Sequence, residues 1–271
     1  MKQRLRLPTF LVALLAALAL LAATPLPVTA QTVRVVTEDT PYSFLRGGQV
    51  NGSATEVVRL ALLGAGLDDY RIDVYPWARA YDLALREPNV LIYLIARTPQ
   101  RESRFQWVGE LMRMRYHLYA LPDRTDLRIG SLDDARPYTI GVVRDDVRQQ
   151  YLAAHAFTRL AVTAQPAENV RKLLFRQVDM VALTEGEATL LCENLKPDCA
   201  GLRRVLTLEE MTTGLYMAYS LATPAAIVAR TRAAFDTLRG NGTLARLVDP
   251  FGRLPPSSRP GTAAPEARPR Q

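Results

Sequence analysis

The chain has 271 residues, 48% of them hydrophobic, and a formal net charge of +7. That length gives room for two domains of ordinary size around a sizeable core. The positive charge sits at the ends, with Lys2, Arg4 and Arg6 before residue 30 and Arg253, Arg259, Arg268 and Arg270 against Glu266 after residue 252; the near-neutral body between them carries no electrostatic footprint for DNA or RNA, and no nucleic-acid partner is expected.

The first 30 residues read as a processing segment. Lys2, Arg4 and Arg6 form a positive start, Leu11 to Ala23 is an apolar run short for a membrane span, and Val28-Thr29-Ala30 is a small-residue cleavage site. Cleavage after Ala30 would release the protein into the periplasm, and with no cysteine after the apolar run a lipid anchor is not expected. Cys192 and Cys199 are the only cysteines and enclose Glu-Asn-Leu-Lys-Pro-Asp. In an oxidising compartment two such cysteines most simply form one disulfide, worth roughly 2–3 kcal/mol in the chain-entropy model. A two-cysteine metal site is the rival, but no histidine lies nearby in sequence, and neither metal nor cofactor is expected.

In chain order, Thr32 to Thr37 is β-branched and reads as a strand. It ends at Glu38-Asp39-Thr40-Pro41-Tyr42-Ser43-Phe44, a loop of acidic and aromatic side chains, and Gly47-Gly48 and Asn51-Gly52 mark a turn. Ser53-Ala-Thr-Glu56 has the form of a capping box for a helix whose stripe is Val57, Leu60, Ala61 and Leu63 and which stops at Gly64 to Gly66. Arg71 to Tyr75 is a second strand. Pro76 can open the next helix, which carries Trp77, Arg79, Tyr81 and Leu85. Val90 to Ile95 is an unbroken apolar run of the kind buried on both faces of a parallel sheet. This βαβαβ run makes a first lobe.

Met114 to Leu121 is extended and would leave the first lobe as a crossing strand. Ser131-Leu-Asp-Asp caps a short helix. Tyr138 to Val143 opens a second lobe, followed by Arg144-Asp145-Asp146, a helix from Val147 to Phe157, a helix from Asn169 to Phe175, and a strand from Val178 to Leu183 ending at Thr184-Glu185-Gly186. After a further helix and the cysteine loop, Gly214 to Ser220 returns to the first lobe. Thr223-Pro224 starts a long helix to Arg239, Gly240-Asn-Gly242 breaks it, and Thr243 to Val248 is a last short helix. The expected organisation is a leader 1–30, a first lobe of 31–119 and 214–252, an inserted second lobe 120–213, and a disordered tail 253–271 rich in Pro, Ser and Arg.

The loop after the apolar strand is Arg97-Thr98-Pro99-Gln100-Arg101-Glu102, followed by Phe105-Gln106-Trp107-Val108-Gly109. Pro99 ends the ladder and pushes Thr98 toward extended backbone, so two arginines and a threonine stand just past the carboxyl end of a central strand, where open α/β sheets bind ligands. This stretch resembles the R-T-P-x-R-E … F-x-W-V-G segment of the family 3 periplasmic solute-binding proteins, the type II two-lobed proteins of polar amino-acid ABC transporters. Pro76-Trp77-Ala78-Arg79-Ala80 is similar to a further P-W-x-R-A element of that family, and the resemblance spans Val33 to Asp249. It implies an α/β fold of two lobes, two mixed sheets flanked by helices and joined by two crossing strands, with a small solute between them and ABC transporter membrane subunits as partners.

The resemblance also implies that Arg101 forks a solute carboxylate, which suits a guanidinium. Thr98 can add donors. Arg97 stands where the amino-acid binders usually carry an apolar or small residue, and offers either a second cation or a solvent-facing side chain. Glu38, Tyr42 and Phe44 share the cleft edge, and Trp77 and Trp107 are either aromatic cover or core. Arg79 lies near the start of its helix and within reach of the cleft. Arg144, Asp145 and Asp146 sit at a helix N-terminus that favours anions, or serve as its caps. The relatives' acid for an α-ammonium falls here on Thr184, with Glu185 next, which argues against an α-amino acid. His117 and His155 read as structural, and no H-E-x-x-H, G-x-S-x-G, Walker or G-x-G-x-x-G motif occurs. The expected function is capture of a small carboxylate-bearing solute, an amino acid or a relative of one, by a periplasmic monomer that serves an ABC transporter. The alternatives are a dehydratase-like enzyme using Glu38 or Glu185, and a periplasmic sensing partner.

Overall fold

A computed structural model describes residues 32–196 and 198–248; the expected leader 1–30 and tail 253–271 lie outside them. The first strand, β1 (Val33–Thr37), pairs in parallel with β4 (Tyr70–Val74) on one side and β5 (Val90–Ala96) on the other. Every residue of β5 is buried, as its apolar run predicts. Between β1 and β4 lie a small hairpin, β2 (Phe44–Arg46) with β3 (Gln49–Asn51), and helix α1 (Ser53–Gly64). Helix α2 (Trp77–Arg86) connects β4 to β5 and buries Trp77, Ala80, Tyr81 and Ala84 on one face.

Two very long strands follow, β6 (Phe105–Ala120) and β10 (Arg203–Ser220), paired antiparallel along most of their length. The runs expected at Met114 to Leu121 and Gly214 to Ser220 cover only the carboxyl-terminal half of each strand. Between them the chain runs through β7 (Ile140–Val143), helix α3 (Val147–Ala154), β8 (Leu160–Thr163), helix α4 (Pro166–Leu174), β9 (Met180–Thr184) and helix α5 (Glu185–Asn194). After β10 come α6 (Ala225–Gly240) and α7 (Thr243–Leu247). Hydrogen bonding links eight strands in the order β4-β1-β5-β10-β6-β9-β7-β8. The two expected sheets thus share β6 and β10 and run on as one ladder. That ladder is broken at one place. Tyr116 pairs Leu208 and Met114 pairs Thr213, so Glu209 to Thr212 stand against Arg115 alone. A bulge of this size bends the pair and separates a first half, β4-β1-β5, from a second, β9-β7-β8.

Both faces of the first half are covered. On one, α1 and α6 bury Val57, Val58, Ala61 and Leu62 together with Phe235. Phe235 lies over Gly109, where an added Cβ would come within 2.2 Å of the ring, so only glycine lets β6 and α6 meet here. On the other face α2 packs Trp77, Tyr81, Phe105 and Trp107 against β1 and β5. A smaller cluster, Val170, Leu173, Val181 and Leu183, fills the second half. Buried hydroxyls fasten β5 to α1: Tyr93 Oη lies 2.7 Å from Ser43 Oγ and 2.8 Å from Thr55 Oγ1. The predicted α1 stripe is shifted. Val58 and Leu62 are buried, whereas Leu63 is 65% exposed. The predicted Ser53 capping box is not formed either, because Gly52 is the N-cap and Glu56 N–H donates to Gly52 O instead, while Ala54 N–H donates to Tyr42 O. The Cys192–Cys199 disulfide is present, closing the turn after α5.

Candidate functional site

Several chain segments converge between the two halves of the sheet: the end of β1, the start of α2, the loop after β5, the start of α3, and the β9–α5 junction. Arg101 reaches in from the β5 loop and is only 1% exposed. Its backbone N–H donates to Thr98 O, which closes the turn at Pro99 and aims the side chain inward. The guanidinium lies 5.3 Å from the Trp77 ring and 4.9 Å from the Tyr81 ring, which themselves stack. Nη1 donates to Ala96 O at 3.3 Å, and Nη2 to Asp145 O at 3.0 Å and Gln150 Oε1 at 3.3 Å. Nε is buried without a hydrogen-bond partner, as is Thr98 Oγ1. A buried donor without a partner costs about 1–3 kcal/mol, the desolvation a solute acceptor would offset.

Facing Arg101 from the second half is an ion network that sequence reading missed. Arg148, at the second position of α3, donates through Nε to Asp146 Oδ1 at 2.5 Å and through Nη1 to Glu187 Oε2 at 2.9 Å, and lies over the Tyr116 ring. Asp146 caps α3 by accepting from Arg148 N–H. Glu187 completes a capping box with Thr184 at the start of α5. All three charged side chains are at least nine-tenths buried. Burial pushes the Asp146 carboxyl up, but the charge and hydrogen bonds of Arg148, with Arg101 beyond, hold it below its ordinary range. Burial likewise lowers Arg148, and the two carboxylates more than reverse this and keep it charged.

Glu38, at the end of β1, faces this network with no hydrogen-bond or ion-pair partner of its own among the described residues. Burial pushes its carboxyl up to about 8, with Asp146 adding to the rise and Arg148 opposing it. Glu38 also joins two cavities. A deep one of about 30 Å³ is lined by Arg101, Tyr42, Leu94, Tyr116, Arg148 and Thr184, among others. An outer cleft of about 840 Å³ opens toward Phe44, Tyr75, and the starts of α2 and α4. Trp77, Thr40, Pro41 and Glu187 line both.

Of the residues singled out in the sequence, Arg101, Glu38, Tyr42, Phe44, Trp77 and Thr184 line these cavities; Asp145 lines neither, but its carbonyl accepts from Arg101. The others lie elsewhere. Arg97 forks Glu102 and covers Trp107 and Tyr216 on the outer surface. Arg79 stacks on Tyr75. Arg144 is exposed, its N–H tied to Thr163 O. Glu185 is exposed and borders a separate groove with Lys196 and Arg204; Glu187, two residues on and on the opposite side of the helix, is the one that lines the cleft. Thr98 borders neither cavity. His117 binds Thr207 Oγ1 within the crossing strands, as its structural reading implied.

No protein-family model matches the sequence, and no curated protein matches it. Solved structures do. A histidine kinase sensor domain with similarity to periplasmic binding proteins superposes with a TM-score of 0.72 at 18% identity, over 80% of this chain and 94% of that one. The arginine-, lysine-, histidine-binding protein ArtJ from Geobacillus stearothermophilus gives 0.68 at 16% identity, over 80% and 93%. An ancestral amino-acid-binding protein, a precursor of cyclohexadienyl dehydratase, gives 0.65 at 15% identity, over 82% and 95%. The likeness read in Arg97 to Gly109 thus holds at the level of the fold: the chain adopts the two-lobed architecture of the periplasmic solute-binding proteins.

Proposed function

We propose that this chain is an extracytoplasmic solute-binding protein that captures a small carboxylate-bearing solute between its lobes and presents it to an ABC transporter. One observation carries the reading. Arg101 is a buried guanidinium at the lobe junction, set against the stacked Trp77 and Tyr81 rings, with an unpartnered Nε–H, and it lines a small cavity. A volume of about 30 Å³ suits a compact head group such as a carboxylate. The outer cleft of about 840 Å³ has room for the rest of an elongated solute. We take the lobes as 31–119 with 214–252, and 120–213; the bulge at Glu209 to Thr212, opposite Arg115, supports a hinge between them, where bending would open and close the cleft. A leader cleaved after Ala30, as the sequence suggests, and the disulfide fit a periplasmic location, and we propose that the protein acts there as a monomer. A thermal-shift panel of organic acids, amino acids and short peptides tests this, because a solute bound only by the folded protein raises Tm. At least one carboxylate should raise Tm; a panel in which none does argues against the proposal.

Glu38 favours a second reading. A carboxyl pushed up to about 8 in a cleft is poised as a general acid or base, so the fold could serve a lyase. Product analysis separates the two, since a binding protein returns its solute unchanged.

A further inference from the structure

Asp145 has a backbone φ of +58°, in the left-handed region that side-chain-bearing residues rarely adopt. Its side chain is exposed, while its carbonyl turns into the lobe junction. That one oxygen accepts from Trp77 Nε1 at 2.9 Å, Arg101 Nη2 at 3.0 Å and Gln150 Nε2 at 3.1 Å. The first two donors belong to the first lobe and the third to α3 of the second. Gln150 closes a ring by accepting from Arg101 through Oε1. In the preceding peptide unit, Asp145 N–H donates to Gln149 Oε1 at 2.6 Å, which holds the turn.

We infer that the Asp145 carbonyl is an interlobe latch, which holds the lobes together through Trp77 and Arg101 and thereby fixes the Arg101 guanidinium in the cleft. The left-handed turn is what aims the oxygen at the first lobe. Rotating Asp145 into ordinary helical or extended backbone swings the oxygen away and releases both donors at once. The local cost of the turn opposes closure, and the two first-lobe hydrogen bonds oppose opening. The lobes are therefore held by protein groups alone, and Asp145 acts on any solute only through Arg101, as a positioning residue. The Asp145 side chain plays no part, so glycine should serve as well there, and a β-branched residue should not.

The indole protons supply the test, and it needs no solute. The chain has two tryptophans. Trp77 Nε1 donates across the lobe junction, whereas Trp107 Nε1 donates within the first lobe, to Glu102 O at 3.0 Å. Hydrogen exchange of both protons is followed by NMR in the full chain, with a Trp107→Phe variant giving the assignment. Asp145→Val should speed exchange at Trp77 by about fivefold or more, the effect of roughly 1 kcal/mol of added backbone strain, and leave Trp107 unchanged. Asp145→Gly should keep Trp77 as protected as in the wild type. The latch is overturned if Trp77 in the wild type exchanges like a free indole, or if Asp145→Val leaves it unchanged. It is equally overturned if Trp107 accelerates as much as Trp77, or if Asp145→Gly exposes Trp77. Because no solute is present, these outcomes are independent of the solute panel.

Discussion

Replacing Arg148 with methionine tests the electrostatic logic of the cleft. Met keeps much of the stem's volume and removes the charge and four side-chain donor contacts, to Asp146, both Glu187 oxygens and Ala182 O. Asp146 and Glu187, 5% and 8% exposed, are then left as buried carboxylates without their cation, with Glu38 facing them. Removing one partner of a buried ion network costs about 3–5 kcal/mol. For a domain of this size each kcal/mol lowers Tm by about 2–4 °C, which gives a drop of roughly 6–20 °C. The triple variant Arg148→Met, Asp146→Asn, Glu187→Gln should recover most of that loss, because no buried charge is stranded and both amides can still accept at the helix caps. Urea unfolding followed by far-UV circular dichroism measures all three proteins. A single variant within 1 kcal/mol of the wild type, or a triple variant no more stable than the single, refutes the assignment.

Other perturbations probe separate parts of the molecule. Glu38 has a folded-state pKa raised to about 8 from an ordinary 4.5, chiefly by burial, so its contribution to stability is complete below the ordinary value and is lost as pH rises through about 8. Glu38→Gln should flatten that fall and leave the variant more stable than wild type at pH 9; urea midpoints at pH 5, 7 and 9 showing identical slopes would contradict this. Replacing Cys192 and Cys199 by serine opens a loop with a sequence separation of 7, and should cost about 2.5 kcal/mol in the chain-entropy model. Reducing agent should then shift the melting of the wild type and leave the variant unaffected; an equal shift in both would show that the bond is not the source.

The sequence carried the architecture further than the site. The apolar run Val90 to Ile95 announced a strand buried on both faces, and Pro99 announced its end; both are local signals that survive folding. Helix capping was less transparent. Ser53 to Glu56 and Thr184 to Glu187 have the same S/T-x-x-E form, but only the second is a capping box. At the first, the helix starts one residue earlier, so Glu56 N–H, which Ser53 would have capped, bonds Gly52 O, while the Tyr42 carbonyl from the preceding loop holds Ala54 N–H, a contact that the S/T-x-x-E pattern does not encode. The inner half of β10, Arg203 to Thr213, has weak alternation and is a strand because β6 lies beside it. The Arg148–Glu187 pair joins residues 39 positions apart, so neither residue advertised its role, although the Thr184 box could have shown that Glu187, not Glu185, turns back toward the cleft.

In the proposed function Arg101 receives a solute carboxylate between the lobes. Calorimetric titration of the carboxylate that most raises Tm, into wild-type protein and into Arg101→Ala with an unchanged circular dichroism spectrum, tests it most directly. Two charge-assisted hydrogen bonds at about 1.5–3 kcal/mol each predict a loss of affinity of roughly 10²–10⁴-fold in the variant. Equal affinity in the two proteins would contradict the account.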